Sequence, residues 1–238
     1  MSALAGRTAL VSGASRGIGL EVARALVADG MRVAMLARSS DELRARAADL
    51  GARALPYPCD VADPAAIAAL AERLTDEFDG APDVIVNNAG MFKLATVDTT
   101  DPRDFRAALD VNLVAPFLLV HAFLGAMRAR RSGHIVMIGS IADRATFPEN
   151  GAYAASKFGL RALHEVLRGE LRGSGIRTTL VSPGPVDTAL WDAVDPDMRP
   201  GFTPRVQMLS PAAVAAAVRY AVTQPADVNV DELRLSRA

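Results

Sequence analysis

Short apolar runs alternate along the chain with longer stretches of helical periodicity. Thr8 to Val11, Arg32 to Ala37, Val84 to Val86, Ile135 to Ile138 and Arg177 to Val181 are brief, rich in aliphatic residues and bounded by turn formers, as strands buried on both faces are. A further strand ends at Cys59. The helical stretches between them have readable ends. Ile18 to Ala28 stops at Gly30, and Ser39 with Glu42 has capping-box spacing for a helix reaching Leu50. Asp63-Pro64 and Asp101-Pro102 each set a carboxylate cap before a proline at the first helical position, the second opening a helical region to about Arg131. Tyr153 to Leu171 and a late segment begun by Ser210-Pro211 complete the helices, and Glu232 to Leu235 reads as a last strand.

This alternation implies βαβ units: an α/β fold with a doubly wound parallel sheet of about seven strands and helices on both faces. Ligands of such sheets bind outside the carboxyl ends of the strands. The turns after Val11, Ala37, Val86, Ile138 and Val181 all fall there. One long irregular segment, Pro183 to about Leu209, has the length of a lid or binding loop.

Bulk properties narrow the function classes. The 238 residues suit one domain, and no internal linker, repeat or charge block divides them. A net charge of −1 gives no footprint for nucleic acid or an anionic membrane. The single cysteine, Cys59, excludes an intrachain disulfide and fits a reducing cytosol. Met1 to Arg7 lacks the basic start and apolar core of a signal peptide, and the apolar runs are expected to be interrupted short of a membrane span. No cluster of metal-ligand type is visible, and His121, His134 and His164 are scattered over separate elements.

Three features carry candidate chemistry. Between the first strand and helix lies Gly13-Ala14-Ser15-Arg16-Gly17-Ile18-Gly19. Glycines there permit positive φ and close backbone approach, and the helix amino end offers free N–H groups to a pyrophosphate. A plain tight turn would look similar, but the strand–turn–helix context favours the phosphate site. Secondly, the second strand ends at Ala37-Arg38, where an acid would accept from a ribose 2′-hydroxyl. An arginine there attracts a 2′-phosphate instead, and Arg16 in the glycine turn approaches the same place. Thirdly, Tyr153 and Lys157 stand four apart, on one helix face, so the ammonium is expected to favour the ionised phenol. Ser140, just past the strand ending at Ile138, sets a hydroxyl at that strand end.

In order and spacing, the glycine turn, Asn87-Asn88-Ala89-Gly90, Ser140 and Tyr153-Ala154-Ala155-Ser156-Lys157 resemble the short-chain dehydrogenase/reductase family over nearly the whole chain. Ser12 stands where that family usually has threonine, keeping the hydroxyl. The resemblance implies one Rossmann-type domain over 1–238, with a cofactor half to about 135, a catalytic half from about 136 and a lid over about 185–209. It implies an NADP(H)-preferring, or less favourably NAD(H)-using, oxidoreductase of carbonyl and secondary alcohol groups, with Tyr153 as acid/base and Asn112, Ser140 and Lys157 beside it. Asn112 is expected to help hold a water that links the lysine to a proton relay. The implied cofactor residues are Gly13, Ser15, Arg16, Gly17, Ile18, Gly19, Arg38, Asp60, Val61, Asn87, Ala89, Gly90, Asn112, Tyr153, Lys157, Pro183, Gly184, Val186 and Thr188. A carrier-linked 3-oxoacyl reductase shares the same catalytic residues, and a non-catalytic NADP(H) sensor shares the fold but has no need of all four.

The substrate side is less readable. Ser140, Ile141, Ala142, Phe147, Asn150, Pro185 and Trp191 are pocket candidates. Trp191, Met198, Phe202 and Met208 make an apolar lid, which fits an apolar substrate, loop anchoring or a subunit contact. Arg144, Arg199 and Arg205 either bind an acidic substrate group or are ordinary surface arginines. By resemblance the chain is expected to form a homodimer or homotetramer through Asp101 to Arg131 and Tyr153 to Leu171, and the single cysteine and the lack of a signal-peptide pattern give the expectation of a cytoplasmic protein.

Overall fold

In the computed structural model, which describes residues 4–238, seven strands form one parallel sheet in the order β3-β2-β1-β4-β5-β6-β7. They are β1 (Thr8–Ser12), β2 (Arg32–Ala37), β3 (Ala54–Pro58), β4 (Val84–Asn87), β5 (Gly133–Ile138), β6 (Ile176–Pro183) and β7 (Glu232–Leu235). The helices are α1 (Gly17–Ala28), α2 (Ser40–Leu50), α3 (Pro64–Phe78), α4 (Pro102–Leu109), α5 (Ala115–Arg130), α6 (Gly151–Glu170) and α7 (Pro211–Thr223). Met1 to Ala3, the start of the segment read for a leader, lies outside the described residues.

Period-2 alternation explains why the strands look uniformly apolar. Ala9 and Val11 of β1 face one core layer with Leu26 and Val218, while Leu10 faces the other with Leu74, Leu119 and Phe123. Val136 and Ile138 of β5 divide from Ile135 and Met137 in the same way. With both faces covered, apolar side chains suit either face of the central strands, and the buried polar exceptions such as Ser12, His134 and Thr179 have hydrogen-bond partners. The chain reverses its direction of winding at β1, so the carboxyl ends of β1 and β4 border the crevice of a doubly wound sheet.

The helix caps follow the sequence with one exception. Asp63 accepts from the Ala65 amide at 2.9 Å, Asp101 from Arg103 at 2.8 Å and Ser210 from Ala213 at 3.2 Å. Ser39 sits at the amino cap of α2 but its side chain makes no capping bond, so the expected Ser39/Glu42 box does not form. Glu42 instead lines the cleft.

The long helical region has the expected extent but is more continuously apolar than expected. It runs unbroken over Pro102–Arg130, 29 residues, and by length and mean hydropathy it is apolar enough to cross a membrane. The apolar stretch from Val111 to Met127 is broken only by Asn112, Pro116, His121 and small residues, none of which stops a helix here. Leu119, Phe123 and Met127 pack into the core, whereas Val114 and Phe117 face outward. At Asp110–Val114 the ladder widens into a π turn, joining α4 to α5.

Candidate active site

The glycine turn is shaped by contacts that a side chain would destroy. Gly13 has φ +67°, and a Cβ there would meet the Ala89 Cα at 2.9 Å. A Cβ on Gly19 would lie 2.2 Å from the Gly13 carbonyl oxygen. The hydroxyl kept at Ser12 accepts from the Asn88 and Ala89 amides, both at 3.0 Å, and so ties the end of β1 to the turn after β4. Asn88 answers by donating to the Ser12 and Gly13 carbonyls at 2.9 and 3.2 Å. No side chain caps the amino end of α1 and no acid lies in its first turn. Its free N–H groups and partial positive charge therefore suit a pyrophosphate.

From this turn a cleft of about 1550 Å³ extends across the strand ends to the lid. Of the expected cofactor residues, Gly13, Ser15, Arg16, Gly17, Ile18, Arg38, Asp60, Val61, Ala89 and Gly90 line it from one side. Tyr153, Lys157, Pro183, Gly184, Val186 and Thr188 line it farther along. Gly19, Asn87 and Asn112 do not reach its wall: Gly19 supports the turn, and Asn87 is buried at the end of β4, its side-chain amide without a partner among the described residues. Arg16 and Arg38 are exposed and have no carboxylate partner among the described residues. The glycine cradle and the free amides at the amino end of α1 fit the pyrophosphate of a dinucleotide.

Tyr153 and Lys157 project from one face of α6, as their spacing requires. The Lys157 ammonium lies 5.6 Å from the centre of the Tyr153 ring and donates to the Ile138 carbonyl at 2.8 Å. Its pKa is pulled down to about 8 by burial, partly opposed by the Asp143 carboxylate. The Tyr153 phenol moves the opposite way from the expectation, up to about 12. Burial is the main cause; the hydrogen bond with Ser140 pulls it down, and the Asp143 charge adds to the rise.

Asn112 is fully buried within the π turn. Its Oδ1 accepts from the Met91 amide at 2.8 Å, and its Nδ2 donates to the Met91 carbonyl at 3.0 Å and to Ser156 Oγ at 2.9 Å. Ser156 in turn donates to the Tyr153 carbonyl at 2.7 Å. Asn112 thus fixes the segment after β4 against the first turns of α6.

Beneath Ser140 lies a charge cluster that no local sequence pattern announces. Asp143, fully buried, receives Arg144 Nε at 2.7 Å, Ser182 Oγ at 2.5 Å and the Ser140 amide at 3.3 Å. Arg144 also pairs with Glu232 of β7, and Arg161 of α6 stands 3.9 Å from Asp143. The Ser140 hydroxyl caps the short turn Ile141–Asp143, accepting from Ala142 at 3.1 Å. The partners come from β6, β7 and α6, so only the folded topology reveals them.

On the substrate side, Ser140, Ile141, Ala142, Phe147, Asn150, Pro185 and Trp191 all line the cleft. Phe92, Leu94 and Glu149 join them; nothing in the sequence singles them out, because each comes from a loop whose position no local pattern fixes. The expected lid residues divide: Trp191 and Phe202 line the cleft, Met208 is buried as an anchor, and Met198 points to solvent at 79% exposure. Arg144, Arg199 and Arg205 are none of them free cations, each being paired with one or more carboxylates. His134 is held neutral in the core, its pKa pushed down to about 3 chiefly by burial, with Arg177 adding to the fall. No group of three or more potential metal ligands occurs among the described residues.

The match to known proteins agrees with this geometry. The family model for short chain dehydrogenases matches residues 7–199, and the chain belongs to that family of oxidoreductases, which use a nicotinamide cofactor. An uncharacterized oxidoreductase of Staphylococcus haemolyticus is 34% identical over 98% of both chains, and a D-threitol dehydrogenase of Mycolicibacterium smegmatis is 34% identical over 94% of this chain and 88% of its own. Among solved structures, a metagenomic short-chain oxidoreductase in complex with NADP superposes with a TM-score of 0.85 at 34% identity, covering 99% of this chain and 98% of that one. An alcohol dehydrogenase from the archaeon Thermococcus sibiricus, complexed with 5-hydroxy-NADP, gives 0.86 at 31% identity over 96% and 95%.

Proposed function

We propose that the chain is an NADP(H)-preferring reductase of carbonyl compounds, or dehydrogenase of the corresponding secondary alcohols, with Tyr153 as acid/base. The observation that carries the reading is one cleft with Arg16 and Arg38, which have no carboxylate partner among the described residues, near one end and the Ser140–Tyr153–Lys157 group at the other. NADP-bound relatives of the same fold support the cofactor assignment.

Gly13 to Gly19 and the amino end of α1 hold the pyrophosphate, Arg16 and Arg38 the 2′-phosphate, and Asp60 and Val61 the adenine. Lys157 and the Pro183–Thr188 turn flank the nicotinamide ribose and ring. Bound there, the nicotinamide supplies or accepts the hydride at the carbonyl carbon. Ser140 and Tyr153 hydrogen-bond the carbonyl oxygen and hold it as negative charge develops. Tyr153, protonated at neutral pH, gives its proton to that oxygen in the reducing direction. Lys157 and the water associated with Asn112 return a proton to the phenol.

The exposed apolar side chains Val114 at the end of the π turn and Phe117 on α5, with Phe158 and Val166 on α6, support assembly into a homodimer or homotetramer across these helices, to be tested by sedimentation. A cytoplasmic location accords with the free, buried Cys59.

The test is NADPH consumption with ketones, aldehydes, quinones and 3-oxoacyl thioesters, beside NADH and beside Tyr153→Phe. Expected is turnover that prefers NADPH and falls by about 10³-fold in the variant, the scale of general acid–base catalysis. Full activity in Tyr153→Phe would overturn the assignment. Preference for carrier-linked thioesters would move the reading to a 3-oxoacyl reductase, and NADPH binding without any turnover to a sensor.

A further inference from the structure

Building on the carbonyl-reductase reading, we propose that the substrate half of the cleft takes a neutral carbonyl compound bearing a flat apolar group, of which an aryl ketone is the simplest, with its ring against Phe92 and Trp191 and its oxygen on Ser140 and Tyr153.

The wall is a chain of rings. Phe92 meets Tyr153 edge to face with ring centres 4.9 Å apart, Trp191 meets Phe92 at 5.0 Å, and Phe202 meets Trp191 at 6.3 Å. Such geometry leaves ring faces and edges matched to another aromatic ring. The Trp191 indole N–H, its one polar group, already donates to the Val186 carbonyl at 3.1 Å. It therefore fixes the ring and presents only apolar surface to a ligand. At the rim, Ile141 and Phe147 are 40% and 50% exposed, apolar area that a bound ligand would cover.

Charge argues for neutrality. Arg199, the arginine that lines this half, is ion-paired with Glu149 across the cleft mouth and stacks 4.9 Å over the Phe202 ring. Arg205, beside the lid, is held by Asp187 at 2.8 Å and by Asp192 at 2.5 Å. Glu149 adopts φ +64°, a conformation uncommon for a non-glycine residue, while its carbonyl accepts from Ala95 at 2.9 Å. A carboxylate or phosphate on the substrate would have to displace Glu149 from Arg199 and then face that freed acid. The contrast with Arg16 and Arg38, which have no carboxylate partner among the described residues, is direct: one end of the cleft is prepared for an anion and the other is not.

The experiment compares an aryl methyl ketone, its para-carboxylate and a short alkyl ketone, by NADPH turnover and by fluorescence. Trp191 is the only tryptophan, so its quenching reports occupancy of this wall whether or not turnover occurs. Expected is at least about tenfold higher kcat/KM for the neutral aryl ketone than for either comparison, the scale of one ring contact. Phe92→Ala should raise the aryl ketone KM about tenfold, with the NADPH Kd serving as the check on folding. Glu149→Gln, which frees Arg199, should improve the carboxylated ketone relative to the neutral one. Equal efficiency on all three ketones, or an aryl preference that survives Phe92→Ala, overturns the proposal. Quenching by the aryl ketone without turnover of anything keeps the aromatic site and overturns the reductase reading instead.

Discussion

Backbone amides and short polar side chains hold the cofactor side of the cleft, and nearly all of them belong to strand ends. Ser12 grips the turn after β4, Asn88 grips the glycine turn, and Lys157 reaches the last carbonyl of β5. The substrate side is fastened differently. Its long loop is tied to the rest of the chain by Arg199 with Glu149 and braced within itself by Arg205 with Asp187 and Asp192, pairs of partly exposed groups. Bonds of the first kind are fixed by the sheet itself. Surface ion pairs contribute about 0–1 kcal/mol each and weaken in salt. The chemistry is therefore built into the framework, while the pocket that selects a substrate is attached to it by replaceable ties.

The sharpest way to break this contrast is Asp143→Ala. It removes the buried acceptor shared by Arg144 Nε and Ser182 Oγ, a change of about 3–5 kcal/mol in such settings, and should lower Tm by roughly 10 °C in a domain of this size. A Tm within about 2 °C of the parent would mean that the cluster under Ser140 is not part of the framework. Next in size, Arg38→Ala should weaken NADPH about 10- to 100-fold and leave NADH nearly unchanged, the loss of one charge-assisted bond. Equal losses for both nucleotides in titration would remove the 2′-phosphate argument.

The pH dependence of stability isolates Lys157. Its pKa is about 8 in the folded chain against an ordinary 10.5, so burying the charge costs stability below pH 8 and that cost is relieved as pH rises to 10.5. Tyr153 acts oppositely between its ordinary 10.0 and about 12: the unfolded chain loses the proton first, and stability falls. Urea titrations from pH 7.5 to about 10 should show a rise in the parent that is missing in Lys157→Met. A rise of the same size in both would clear Lys157 of the effect. Smallest of all, Arg205→Gln should alter the substrate KM by less than about fivefold, with no change in the NADPH Kd or Tm. A large fall in Tm would show that the lid belongs to the framework after all.

Much of the framework is legible because it rests on local rules. Alternating apolar runs and helices point to the sheet, the acid–proline pairs mark two helix starts, and a spacing of four puts Tyr153 and Lys157 on one face. What escapes depends on distant parts of the chain. Phe92, after β4, matters because Trp191, from the loop after β6 and about a hundred residues later, comes to meet it. Asp143 matters because Arg161, Ser182 and Glu232 converge from three elements. Ser156 reads in the sequence only as spacing between Tyr153 and Lys157, yet it accepts from Asn112. Local rules also mislead at the uncapped Ser39 and in the Pro102–Arg130 helix, whose polar interruptions do not keep it short of a membrane span's length and hydropathy.

The π turn at Asp110–Val114 has a consequence for how the sequence can change. A wider turn amounts to one surplus residue carried inside an otherwise regular helix. Since each α-helical residue advances the direction of side chains by about 100°, that surplus sets the angular phase between α4 and α5. Removing a single residue there would let the helix close into regular geometry. It would also swing the core side chains Leu119, Phe123 and Met127 away from the sheet or force α4 to rotate in compensation. The segment around Asn112 is thus constrained in its count as strictly as in its composition. Substitutions there are gradual changes, whereas a deletion is a change of phase.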